Sequence, residues 1–211
     1  FGWENRMDGL LAYMYTMIRE CAAQGIRLDR DYLVRSGEAI ELFPGVREWF
    51  ARITAYGADL GVDVEHCDES EIVRRAELVP EETVEKAFAW LTKNCAGIEY
   101  DGKKLTPEKL KTQIRHYEAI KAIQQDNDFD FVGVKCHYDM SCNYCTECIA
   151  AAFMNDPYDW NGKKEPVVYA CEADSDAAMT MQILKLLTHD PVVFMDVRHW
   201  DEENQVLEFC N

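Results

Sequence analysis

The sequence predicts an α/β fold with a mostly parallel sheet, and three observations predict it. Short apolar runs rich in β-branched residues, at 129–136 (FDFVGVKC) and 166–170 (PVVYA), alternate with stretches whose apolar residues recur at helical spacing. The second run passes straight into the acidic turn Cys-Glu-Ala-Asp-Ser-Asp at 171–176 and then into a helical pattern. No internal repeat, low-complexity stretch or Gly-rich phosphate loop interrupts this alternation.

The elements follow in order. Residues 3–24 read as one amphipathic helix, with Leu10, Leu11, Met14, Met17, Ile18 and Cys21 at helical spacing and Gly25 as its stop. Asp29 or Asp31 starts a short second helix. Pro44-Gly45 is a turn, and 46–56 is again helical, with Val46, Trp49, Phe50 and Ile53 on one face. Residues 61–65 read as a short strand, and 68–78 as a helix with Asp68 and Ser70 as candidate caps. Pro80-Glu-Glu starts the next helix, with Val84, Ala87, Phe88 and Leu91 inward, and 97–103 is a loop or small hairpin. Thr106-Pro107-Glu108 is a helix start with Pro in the first turn, and that helix runs to about Gln125. Then come strand 129–136, loop 137–144, helix 145–154, strand 166–170, helix 177–188 and strand 191–197. The sum is a set of Rossmann- or flavodoxin-like strand–helix units behind a helical N-terminal segment. The domain boundary falls between 1–66 and an α/β domain at 67–211.

Charge narrows the function classes. With 22 Lys+Arg against 39 Asp+Glu the net charge is −17, a field that repels nucleic-acid phosphates and anionic membranes and is compatible with a cation or a small neutral substrate. No apolar run reaches the ~18 residues that span a bilayer. The nine cysteines are odd in number and no secretory segment precedes them, so reduced thiols and a cytoplasmic location are the expectation.

The acidic strand end carries the sharpest chemistry. Ligands of open α/β sheets lie outside the carboxyl ends of the strands. Glu172, Asp174 and Asp176 stand at such an end, where carboxylate oxygens suit a hard divalent cation or proton transfer. A helix cap accounts for one of these side chains, but not for Glu172 and Asp174 together. The preceding strand ends in Lys135-Cys-His137-Tyr-Asp139, so Asp139 or Glu147 can approach Asp174. The strand at 191–197 ends at Asp196-Val-Arg198-His199. A separate constellation is Cys142-x-x-Cys145-x-x-Cys148, preceded by Cys136, whose spacing fits a metal–thiolate site; the competing reading makes Cys145 and Cys148 small buried hydrophobes of a helix. His66 and His116 read as surface or core-edge residues.

The segment 155–198, with CEADSDAAMTMQ at its centre, resembles the L-fucose isomerase family and its relatives related to L-arabinose isomerase. The resemblance extends back through 61–77, AFAWL at 87–91, 104–117 and DFVGVKC at 130–136. It implies α/β domains, a trimer or hexamer, a small sugar substrate, and Mn²⁺ (or another divalent cation) in aldose–ketose isomerisation through an ene-diol. Asp174 matches the family's metal-binding aspartate. The partner glutamate falls on Ala151 in a gap-free match. It falls on Asp139 in members with Pro-Glu-Leu after the Lys-Cys strand, and Glu147 is the other nearby acid. The family's N-terminal domain and its metal-binding histidine find no counterpart in these residues, so the sequence reads as an incomplete piece or a chimera. Residues 1–66 instead resemble the cap and following helix of a haloacid-dehalogenase-like phosphatase, without that family's Asp-x-Asp strand. The alternatives are therefore a phosphatase-like fragment and a non-catalytic metal–thiolate α/β module.

Overall fold

The computed structural model describes residues 9–27, 30–38, 41 and 44–210. The chain divides into two compact units, Phe1–Glu65 and His66–Asn211.

The first unit holds α1 (Gly9–Ala23), α2 (Arg30–Glu38) and α3 (Val46–Asp59). Gly25 takes a positive φ of 70° and closes α1, as its sequence position predicts; residues 3–8 and Asp29 lie outside the described residues. The expected strand at 61–65 does not form. The Val62 N–H donates back to the carbonyl of Gly57 at 2.7 Å, and a Cβ at Gly57 would sit 2.8 Å from the Val62 oxygen. The extended segment is thus folded against the end of its own helix, and among the described residues it has no partner strand.

In the second unit α4 (Ser70–Ala76), α5 (Glu81–Asn94) and α6 (Pro107–Asn127) precede β1 (Phe131–Val134). Thr106 caps α6, its side chain accepting from the Lys109 N–H at 3.2 Å, with Pro107 in the first turn. Then come α7 (Asp139–Asn143), α8 (Cys148–Asn155), β2 (Tyr158–Asp159), β3 (Gly162–Lys163), β4 (Val168–Cys171), α9 (Ser175–Thr188), β5 (Asp196–Asp201) and β6 (Val206–Cys210). Strands β1 and β4 pair in parallel, with Val132 opposite Tyr169 and Val134 opposite Cys171.

Alternation along β4 divides the core. Tyr169 packs with Ile114, Tyr117, Leu91 and Met154 on the side of α5, α6 and α8, whereas Val168 and Ala170 pack with Ala178, Met181 and Phe194 beneath α9. The parallel pair therefore has helices on both faces, the α/β architecture that the sequence predicts. Tyr117, Phe153 and Trp160 meet edge-on at centroid distances of 4.8–6.1 Å, each such pair contributing about 0.5–1.5 kcal/mol beyond its buried area. Asn155, buried, spans from α8 to β4: its Nδ2 donates to the Tyr169 carbonyl and its Oδ1 accepts from the Tyr169 N–H, both at 3.0 Å.

Three elements of this second unit depart from expectation. The loop at 137–144 contains the single turn α7. The hairpin β2–β3 forms around buried Asp159, whose carboxylate accepts from the Tyr117 hydroxyl at 2.7 Å, Lys121 Nζ at 2.6 Å and the Asn161 N–H at 2.6 Å. The strand expected at 191–197 starts only at Asp196 and pairs antiparallel with β6, not with β1 or β4. Val192 and Phe194 pack onto the α9 side of β4 without strand pairing, and the turn in which Asp201 accepts from the Asn204 N–H and side chain closes a local hairpin instead. Among the described residues no helix is long and apolar enough to cross a membrane.

Candidate functional site

The parallel register brings the carboxyl ends of β1 and β4 side by side. Beyond β4 the chain turns sharply: Glu172 and Ala173 take φ of 56° and 54°, two successive left-handed residues that have a Cβ, before α9 begins. Such a conformation costs roughly 1–2 kcal/mol per L-residue. Gly133 of β1 makes room for it, since a Cβ there would lie 3.0 Å from the Ala173 Cα. The turn is closed by the Asp174 N–H donating to the Cys171 carbonyl at 3.1 Å.

Asp174 is the N-cap of α9. Its Oδ1 accepts from the Ala177 N–H at 2.9 Å, and the side chain stands exposed at the strand end. The one acidic side chain that capping accounts for is therefore Asp174. Glu172 turns away from it, accepting from Cys136 Sγ at 3.4 Å, with Cys171 Sγ 4.0 Å from the same Oε1. The Cys136 thiol also lies against Cys171, which drops to about 7 through that hydrogen bond, while Cys136 is pushed far above the ordinary thiol range. Asp139 opens α7, five residues beyond the end of β1; its side chain lies outside the described residues.

Glu147 sits elsewhere, sealed in the core as the N-cap residue of α8 and 1 % exposed. His116 Nδ1 of α6 lies 2.7 Å from Glu147 Oε1, and Cys145 Sγ lies 3.5 Å from the same nitrogen. Burial drives the Cys145 thiol well above its ordinary range. Among the described residues Glu147 Oε2 has no hydrogen-bond partner. His116, read from sequence as a surface or core-edge residue, is 2 % exposed. The signal was present: it stands four and seven residues before Ile120 and Ile123, on a buried face of α6.

Among the described residues, two groups bring three Cys, His or acidic ligand atoms within 4.8 Å of one another: His116–Cys145–Glu147 and Cys136–Cys171–Glu172. Cys142, Cys145 and Cys148 form no such group, because Cys142 and Cys148 are exposed on separate helices while Cys145 points inward. Arg198 and His199 lie on the antiparallel hairpin, with Arg198 paired to Asp196 at 3.2 Å, so they are not a third parallel strand end. For a hard cation the described residues offer Asp174 as one exposed oxygen ligand but do not gather a full oxygen set around it.

The class these features define is an α/β segment with an acidic strand end between β1 and β4. Residues 130–189, from β1 through α9, match the sequence model of the family described as "L-fucose isomerase, second N-terminal domain". Among similar proteins, the L-fucose isomerase of Clostridium perfringens (strain 13 / Type A) is 27% identical over 183 residues, covering 69% of this chain and 30% of that protein. The L-fucose isomerases of Streptococcus pneumoniae strains Hungary19A-6 and CGSP14 are each 44% identical over 52 residues, 24% of this chain and 9% of theirs. The resemblance to the L-fucose isomerase family is thereby borne out over part of the chain. The chain spans at most about a third of the length of these relatives.

Proposed function

We propose that this chain is part of a metal-dependent aldose–ketose isomerase of the L-fucose/L-arabinose type. The observation that supports it is the family match over 130–189, which contains the strand end bearing Asp174. In this reading Asp174 gives one carboxylate oxygen to Mn²⁺ or another divalent cation, and Asp139 or Glu147 is the second acid. A bound cation supplies Lewis-acid polarisation of the sugar carbonyl. The α9 cap holds Asp174 through Oδ1 and leaves Oδ2 for a ligand; the second acid carries the proton between C1 and C2. Asp139 opens α7 five residues beyond the end of β1, whereas Glu147 must first leave His116. The assembly is a homo-oligomer of three or six chains. The test is conversion of L-fucose and L-arabinose with added Mn²⁺, with Asp174→Asn, Asp139→Asn and Glu147→Gln as variants. Activity that survives both a chelator and Asp174→Asn overturns the reading.

A further inference from the structure

We propose a second metal site, distinct from the oxygen site at Asp174: Cys136, Cys171 and Glu172 bind a thiophilic divalent cation such as Zn²⁺. The three residues come from the carboxyl ends of the two parallel strands, where open α/β sheets place ligands. Cys136 lies two residues past the end of β1, Cys171 closes β4, and Glu172 is the first of the two left-handed residues.

The distances fit a tetrahedral ion. Zn–S bonds of about 2.3 Å and Zn–O bonds of about 2.0–2.2 Å set S···O edges at roughly 3.5 Å and an S···S edge at roughly 3.8 Å. The observed S···O distances are 3.4 and 4.0 Å, and all three ligand atoms lie within 4.8 Å of one another. Occupation therefore requires shifts of about an ångström or less, not a rebuilt turn. The donor set of two sulfurs and one oxygen selects a borderline-soft cation over Mn²⁺. Asp196 adds negative charge near Cys171, and the left-handed turn directs the Glu172 carboxylate back over β1 instead of outward beside Asp174. Three protein ligands leave a fourth position for water or another small ligand.

The test is titration of the full chain with Co²⁺ under reducing, anaerobic conditions, followed by displacement with Zn²⁺. One equivalent of Co²⁺ is expected to give a sulfur-to-cobalt charge-transfer band and tetrahedral d–d bands. The Cys136→Ser/Cys171→Ser pair abolishes the thiolate band, and Glu172→Gln weakens binding by at least about tenfold. Cys142→Ser, Cys148→Ser and Asp174→Asn leave the band intact, the last separating this site from the isomerase reading. Because Cys136 is buried and its replacement can perturb folding, a second measurement uses the unaltered chain. Zn²⁺ is expected to protect Cys171 from alkylation while Cys142 and Cys148 still react. A missing thiolate band, a band that survives the double substitution, or equal alkylation of Cys171 with and without Zn²⁺ overturns the proposal.

Discussion

Replacing His116 with leucine removes the one hydrogen-bond partner that the described residues give the Glu147 carboxylate, 1 % exposed, while nearly preserving side-chain volume. Among the described residues Glu147 Oε1 then has no donor, and Oε2 has none to begin with. Breaking a buried acid–imidazole pair from one side costs up to about 3–5 kcal/mol, because the survivor stays desolvated without compensation. For a chain of this length that lowers Tm by roughly 6–20 °C. Glu147→Met alone is milder, about 1–3 kcal/mol, since the imidazole keeps the Cys145 sulfur 3.5 Å from its Nδ1. The double variant His116→Leu/Glu147→Met replaces the pair with apolar groups and returns to within about 1 kcal/mol of the starting stability. Urea unfolding of the intact chain at neutral pH, followed by circular dichroism, measures all four corners of this cycle. A cost below about 1 kcal/mol for His116→Leu, or a double variant whose loss equals the sum of the singles, refutes the claim that the two residues act as a buried unit.

Burial lowers Lys164 to about 8, with its Nζ donating to the Met154 and Asp156 carbonyls. The unfolded chain keeps that proton to about 10.4, so between those values it binds more protons than the folded one. Stability is therefore expected to rise from pH 8 toward pH 10 through this residue, and Lys164→Met flattens that rise in urea midpoints taken across the window. Gly133→Ala brings a Cβ within 3.0 Å of the Ala173 Cα and is expected to cost about 1–3 kcal/mol while loosening the turn. The readout is faster amide exchange at Asp174, whose N–H closes that turn on Cys171.

Elements whose local chemistry agrees with their surroundings were legible. Helix α6 announces itself through Thr106 and Pro107, and the strands β1 and β4 through short apolar runs rich in β-branched residues. The 191–197 run carries the same composition but not the same fate: an Asp201–Asn204 turn decides its pairing, and composition says nothing about which neighbour a strand finds. In the candidate site, the position of Asp174 at a strand end follows from sequence order alone. The placement of Glu147 does not, because its partner His116 stands 31 residues away on another helix. Cys136 and Cys171 likewise meet only through the parallel register, whereas the conspicuous Cys-x-x-Cys spacing at 142–148 is divided between two helices and leads nowhere.

The Asn155 amide has a consequence for how this sheet can grow. Its carbonyl and amino groups meet the N–H and C=O of Tyr169 as a neighbouring strand would, so the middle of β4 already has the equivalent of a one-residue neighbour opposite β1. A strand arriving from another segment or another copy has to evict that amide and leave its polar atoms to find new partners in the interior. Lateral recruitment beside β4 is thereby suppressed by a single side chain, a guard against edge-to-edge association that involves no charge and no proline.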